Sequence, residues 1–304
     1  MMKALLLLAF GGPRSLDEVE LFLTRLYRGR KPSPEQLERV KERYRLIGGC
    51  SPLLEITLKQ AKALENSLNI RGYHFRSYVG MRYGEPLIEE TLREIIRDGM
   101  REVITIPMAP FRSRASTGAY IEEVDRAQKK LEEKIKVSFI EGWHLHPLFL
   151  RAILEKIQEG LIQFTPKERR KIHLIFTAHS LPKSLSKDES YIKDMEETVR
   201  ELLKMIEPFP WHIAFQSRGM GPEEWLGPDV ESSLTDLSHQ KVREILIIPI
   251  GFISDHIEIL YDIDIVYQEK AASMGMVLKR TPSLNDSKLF IEALTNIVEE
   301  HLTK

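Results

Sequence analysis

The sequence predicts an α/β protein made of two doubly wound, Rossmann-like domains, each built on a four-stranded parallel sheet. Two observations carry this expectation. Residues 101–111, REVITIPMAPF, reappear closely at 243–253, REILIIPIGFI, and 5–13, LLLLAFGGP, reappear at 174–182, LIFTAHSLP. Apolar runs of strand length also alternate with helical sequence through both halves. Such alternation implies parallel strands joined by right-handed crossovers, with helices on both faces of the sheet.

The first strand is expected at 4–10, where an unbroken apolar run follows Lys3, the pattern of a strand covered on both faces. The run is too short to span a bilayer, ends at Gly11-Gly12-Pro13 and lacks a small-residue cleavage site, so it reads as a strand and not as a signal peptide. Further strands are expected near 74–80, 102–107 and 136–140, then near 172–178, 211–216, 244–250 and 276–280. Leu37, Val40, Tyr44 and Ile47 keep helical spacing. Leu148-Phe149-Leu150 opens one amphipathic helix as Leu289-Phe290-Ile291 opens the last. The boundary is expected in 142–147, GWHLHP, giving a first domain over 1–145 and a second over 146–304. Ligands of open α/β sheets bind outside the carboxyl ends of the strands, so both sets of strand ends are expected to line one active cleft between the domains.

At 304 residues and 42% hydrophobic, the chain can bury a core for each half. A net charge of −1 argues against a wholesale nucleic-acid binder. Cys50 is the single cysteine, which excludes an intrachain disulfide and a four-cysteine zinc or iron–sulfur site. With no transmembrane segment in view, a reducing cytoplasm is the expected setting.

The chemistry-bearing residues fall where strands should end. His179 closes the run 172–178 and precedes Ser180-Leu181-Pro182; histidine titrates near neutral pH, and its neutral ring can accept a proton or bind a metal. A Ser180-based triad is a poor alternative, since no G-x-S-x-G elbow exists. After Ile250 come Asp255, His256, Glu258, Asp262 and Asp264, with Glu258 and Asp262 four apart on one helical face. Asp255 with Glu258 also fits a plain helix capping box. Other candidate stretches are 10–13, 82–83, 107–117 and 216–221. Residues 25–45 carry eight Lys/Arg against three Glu, a basic lip suited to a carboxylate- or phosphate-bearing ligand, although half of it reads as a solvated helix face. Gly11-Gly12-Pro13 has neither spacing of a phosphate loop. His144 and His146 are a weak metal pair and read as structural. Met81 and Trp225 are apolar side chains in loops where a flat aromatic ligand would want walls.

FTAHSLP at 176–182, AFQS at 214–217, WLGPDV at 225–230 and GFISDHIEILYDIDI at 251–265 resemble, in order and nearly end to end, the signature blocks of the ferrochelatases, which insert Fe²⁺ into a porphyrin in haem synthesis. The resemblance implies the duplicated α/β architecture, with His179 and Glu258 as catalytic and metal-contacting residues. It implies Asp255 and His256 as proton relay or support, and Asp262 as a further metal contact, the next step of an acidic ladder that Val266 leaves one acid short. Iron is then substrate, and no iron–sulfur cluster is implied for a chain with one cysteine. Porphyrin contacts are implied at Phe10, Arg43, Ser51, Met81, Arg82, Tyr83, Ser217 and Trp225. The segments 28–35 and 47–53, with Arg43, Ser51 and Ser217, look like the coproporphyrin III enzymes, whereas 81–86 and 116–118 look like the protoporphyrin IX type; Phe10 and Tyr27 stand where a tyrosine and an arginine are common. A cobalt- or nickel-chelatase and a non-catalytic tetrapyrrole-binding protein are the alternatives, and the acids at 258 and 262 argue against the second. Transient partners among haem-pathway proteins are implied, and oligomeric state is left open.

Overall fold

The structure, a computed structural model, describes residues 2–131, 133–184, 190–219 and 223–303. The strands are β1 (Lys3–Ala9), β2 (Phe75–Met81), β3 (Glu102–Pro107), β4 (Lys136–Phe139), β5 (His173–His179), β6 (Trp211–Gln216), β7 (Glu244–Ile248) and β8 (Val277–Arg280). They form two four-stranded sheets, ordered β2-β1-β3-β4 and β6-β5-β7-β8, with every pairing parallel. The same order in both sheets is what the internal repeat implies. The most apolar strands are central: Leu5 to Leu8 and Leu174 to Phe176 have no exposed surface, as strands covered on both faces require.

The helices are α1 (Val19–Leu26), α2 (Pro34–Leu46), α3 (Leu53–Ile70), α4 (Ile88–Arg97), α5 (Thr117–Gln128), α6 (Pro147–Leu161), α7 (Pro166–Arg169), α8 (Ser190–Leu203), α9 (Val230–His239), α10 (Gln268–Ser273) and α11 (Lys288–Leu302). Local chemistry places several starts. Ser33 Oγ accepts from Gln36 N while Gln36 Oε1 accepts from Ser33 N, and Pro34 at the first helical position needs no N–H partner, so the basic stretch breaks cleanly into α1 and α2. Part of its positive charge is paired, Arg45 with Glu38 and Glu42, and Arg25 with Glu85.

The chain divides into two compact units, Met1–Pro110 with Ser116–Glu141 and Asn285–Lys304, and Phe111–Ala115 with Gly142–Leu284. This differs from the expected division into 1–145 and 146–304 at both ends of the second half. α11 packs on α3 of the first unit: Arg71 pairs with Glu292 and Glu299, Thr295 Oγ1 donates to Ser67 Oγ at 3.0 Å, and Gln60 Nε2 donates to the Asn285 carbonyl at 2.8 Å. α6, by contrast, follows β4 in sequence but lies on β7, where a Cβ at Gly160 would meet Leu246 at 2.9 Å. The helix after the fourth strand of each half thus belongs to the unit built mainly from the other half. Two amphipathic helices of similar pattern carry no local mark of which sheet they will cover.

β7 stops two residues short of the expected 244–250. Pro249 has no N–H for the ladder, and the Ile250 N–H turns back to the Ile248 carbonyl at 2.9 Å, a three-residue turn. The chain then returns to β5 through Gly251 N to Thr177 O at 3.2 Å. A Cβ at Gly251 would lie 2.6 Å from Ala178 Cβ, so only glycine allows this approach beside His179.

The larger departure follows it. The stretch read as helical, with a capping box as one alternative, is a π-helix, Glu258–Tyr267, with no side-chain cap. Gln268 N reaches the Ile263 carbonyl, five residues back. Wider turns of this kind need more than four residues, so rows spaced by four stay aligned. One row, Ile259, Ile263 and Tyr267, is buried against Ile175, Ala214, Ile245 and Ile247. At roughly 1.5–3 kcal/mol for each such side chain buried, this row holds the wide coil on the sheet. Its neighbouring row carries Glu258 and Asp262. Among the described residues no helix is long and apolar enough to cross a membrane.

Candidate active site

In the second unit β5 delivers His179, β6 delivers Gln216 and Ser217, and the segment after β7 delivers His256, Glu258 and Asp262. His179 Nδ1 lies 2.9 Å from Glu258 Oε2. Burial pushes the Glu258 carboxyl up, but the His179 charge and hydrogen bond, aided by His256, outweigh it and hold the group well below the usual carboxylate range. Glu258 is therefore an anion that can only accept, and Nδ1 must carry the proton between them. For His179, burial opposes the charged ring, while the charge and hydrogen bond of Glu258 and the charge of Asp262 win and raise its pKa above the ordinary value of 6.5. In the neutral form the lone pair sits on Nε2. The side chain keeps 35% of its surface exposed, and in this form Nε2 is the nitrogen able to take a proton or a metal ion.

Surrounding contacts fix this pair. Tyr191 Oη donates to the His179 carbonyl at 2.9 Å, and burial followed by the Glu258 charge keeps the phenol protonated and a donor. Gln216 Nε2 donates to the Glu258 carbonyl at 2.9 Å. His256 donates Nδ1–H to the Ser254 carbonyl at 3.0 Å, which leaves Nε2 at 3.8 Å from Glu258 Oε2, too far for a hydrogen bond. Ser217 Oγ donates to Asp262 Oδ2 from a left-handed backbone (φ 59°), a strain of roughly 1–3 kcal/mol that aims the hydroxyl at the acid. The expected propionate contact thus has its hydroxyl proton engaged.

Asp255 departs from its expected place as proton relay beside His179. Its Oδ1 accepts from Ser283 Oγ at 2.6 Å and lies 3.3 Å from Arg280 Nη2. A carboxylate this hidden goes to the nearest cation, and Arg280, which sequence reading did not single out, is that cation. Trp225 packs its ring where a Cβ at Gly219 would be, 2.6 Å from Cζ2, and its backbone bridges to Pro182. Of the candidate stretch 216–221, residues 220 and 221 lie outside the described residues.

In the first unit the β1 and β2 ends meet. Arg82 N and Tyr83 N donate to the Ala9 and Phe10 carbonyls, each at 3.0 Å, and Gly11 (φ 88°) stands where a Cβ would strike Gly84 N at 2.5 Å. Phe10 is 41% exposed, with Tyr83 at 4.8 Å between ring centroids and Arg82 over the Tyr83 ring. In the repeat, Phe10 occupies the position of His179. Met81 is 1% exposed, which removes it as a wall for a ligand and makes it core. Arg43 lies partly buried on α2, and Ser51 precedes α3, its hydroxyl accepting from Leu53 N at 3.3 Å.

His144, read from sequence as structural, has acids around it that no local pattern announced. Its Nε2 lies 3.5 Å from both Asp194 Oδ1 and Glu197 Oε2. Arg112 already forks onto Asp194, with Nη2 at 2.7 Å from Oδ1 and Nε at 3.1 Å from Oδ2, so the cluster carries its own counter-charge.

The ferrochelatase family profile matches residues 2–302. A ferrochelatase of Geotalea uraniireducens is 40% identical over 98% of this chain and 97% of its own length. That of Deinococcus radiodurans is 37% identical over 97% and 94%, and a coproporphyrin III ferrochelatase of Geobacillus sp. WCH70 is 37% identical over 97% and 96%. Among solved structures, SirB from Bacillus subtilis with Fe³⁺ superposes with a TM-score of 0.61 at 12% identity, covering 99% of this chain and 95% of SirB, a likeness of fold alone. The matched length, the paired sheets and the imidazole–carboxylate pair at the end of β5 agree on one assignment: the chain belongs to the ferrochelatase family.

Proposed function

We propose that this protein inserts Fe²⁺ into a porphyrin, and that it prefers coproporphyrin III to protoporphyrin IX. The observation that carries the reading is the His179–Glu258 pair, in which an anionic carboxylate holds the Nδ1 proton and leaves Nε2 basic on a partly exposed side chain. Metallation must remove two pyrrole protons as a dication enters, so the site needs a positioned base with an outlet to solvent. His179 Nε2 accepts these protons in turn, Glu258 stabilises the imidazolium that forms, and Asp262 lies one step further along the same row of the π-helix. Imidazole and carboxylate also suit ferrous iron as transient ligands.

Supporting the substrate preference are Arg43 and Ser51, which match propionate contacts of the coproporphyrin-type enzymes, and the likeness to the Geobacillus protein. A charge-assisted hydrogen bond contributes on the order of 1.5–3 kcal/mol, so even one extra held propionate shifts preference by about tenfold or more. The test is anaerobic insertion of Fe²⁺, with Co²⁺ and Zn²⁺ beside it, into both porphyrins. We expect kcat/KM to favour coproporphyrin III with Fe²⁺ and the preference to shrink in Arg43→Ala. His179→Ala is expected to lower kcat roughly 10²-fold or more while porphyrin binding persists. Turnover near wild type in His179→Ala would sink the assigned base, and a protoporphyrin preference unchanged in Arg43→Ala would sink the substrate assignment.

A further inference from the structure

Arg280, the last residue of β8, is a heavily engaged cation that the catalytic pair does not use. Its side chain is 15% exposed. Nε donates to Asp264 Oδ1 at 2.6 Å and Nη2 to Asp264 Oδ2 at 2.8 Å, a two-point fork; Nη2 also lies 3.3 Å from Asp255 Oδ1, and Nη1 donates to the Thr281 carbonyl at 3.1 Å. Ser283 Oγ adds a second donor to Asp255. One guanidinium on the edge strand therefore grips two carboxylates, one before and one after Glu258 in the chain. A lysine ammonium could not reproduce this, because it is a point charge without a planar fork.

What lies between the two gripped acids explains why the grip matters. Residues 258–267 run as a π-helix, a wide coil that sequences seldom sustain for ten residues. Relaxing to α-helical bonding would turn Glu258 relative to Asp264 by roughly a quarter turn or more over the six residues that separate them. Glu258 would then leave His179 Nδ1. The row Ile259, Ile263 and Tyr267 anchors one side of the coil in the core, and Arg280 anchors the flank through Asp264 while tying down its entry through Asp255.

We propose that Arg280 is a positioning residue for metal insertion, holding segment 255–264 in its wide turn so that the Glu258 carboxylate stays on His179 Nδ1. This rests on the insertion reading above for its kinetic consequence, but not for its structural one. The experiment compares Arg280→Lys and the double variant Arg280→Met/Asp264→Leu with wild type, by kcat and KM, by thermal unfolding, and by the His179 Nδ1–H resonance in ¹⁵N-histidine-labelled protein. Arg280→Lys is expected to lose at least about tenfold in kcat with KM changed less than about twofold, because a small misplacement of a catalytic group is costly. Its Nδ1–H resonance is expected to broaden through exchange with water. The double variant removes the Arg280–Asp264 pair together but leaves Asp255 held by Ser283 Oγ without the guanidinium, so it should recover part of the thermal stability without recovering kcat or the resonance. Wild-type kcat and a sharp resonance in Arg280→Lys would overturn the proposal. So would a double variant whose kcat returns with its stability, since the role would then be only structural. A wild type that metallates no porphyrin would sink the insertion reading, and the resonance would still decide whether Arg280 keeps Glu258 on His179.

Discussion

At the scale of single residues, His179 and Glu258 make one interaction seen from two sides, and its pH dependence has a definite sign. Glu258 has a lowered folded pKa, so the stability it contributes is present above its ordinary value of 4.5 and is lost as pH falls through the lowered value. His179 has a raised folded pKa, so its contribution is present below 6.5 and is lost as pH rises through the raised value. Turnover has the opposite demand on His179, because Nε2 must be unprotonated to act as a base. The acid limb of kcat/KM is therefore expected to follow the raised His179 pKa. In Glu258→Gln that limb should move to lower pH and the plateau should fall, since the imidazolium loses its counter-charge. Histidine NMR titration beside the rate profile checks this, and an acid limb at the same pH in both proteins would contradict it.

At the scale of elements, β5 is under control at both ends. Near its carboxyl end the Gly251 backbone passes so close to Ala178 that Gly251→Ala forces Cβ atoms to 2.6 Å. A misfit of this kind costs about 1–3 kcal/mol, and the displaced strand end should carry His179 off Glu258 and lower kcat together with the melting temperature. An Ala variant that unfolds and turns over like wild type would show the approach to be loose. At the other end His173 Nε2 meets His212 Nδ1 at 2.9 Å. Burial, then the charge of His212, lowers the His173 pKa from 6.5 to about 4. A histidine with a lowered folded pKa takes up protons more readily when unfolded, so its stability contribution is present above 6.5 and lost as pH falls toward 4. Allowing for residual exposure, this amounts to roughly 2 kcal/mol. Urea unfolding between these pH values should show that loss in wild type and much less of it in His173→Gln.

At the scale of the whole chain, the helix after β8 completes the unit that β1 begins. Phe290, Leu294 and Val298 are fully buried, and Ile297 nearly so. Removing 285–304 forfeits on the order of 6–12 kcal/mol at about 1.5–3 kcal/mol per side chain, which matches the whole stability of an ordinary domain. A chain truncated after Leu284 is expected to lose the cooperative unfolding of the first unit while the second unit keeps its own transition, as calorimetry would show. Loss of both transitions, or of neither, would contradict this reading of where α11 belongs.

The duplication and the eight strands were legible in the chain because each depends on short-range pattern, apolar runs ending where polar residues begin; the same pattern marked a histidine after one run and acids after another, while the choice of Glu258 as the partner of His179 came from the likeness to the ferrochelatases. Non-local packing decided the rest. Asp255 and Glu258 are three residues apart and look alike in a capping box, yet one meets Arg280 and the other His179, since Asp255 lies before the wide coil of 258–267 and Glu258 is its first residue. Met81 could not be told from an exposed wall until β2 was seen covered. Two helices of matching pattern, α6 and α11, went to opposite units because amphipathicity specifies that a face be buried and says nothing of which surface buries it.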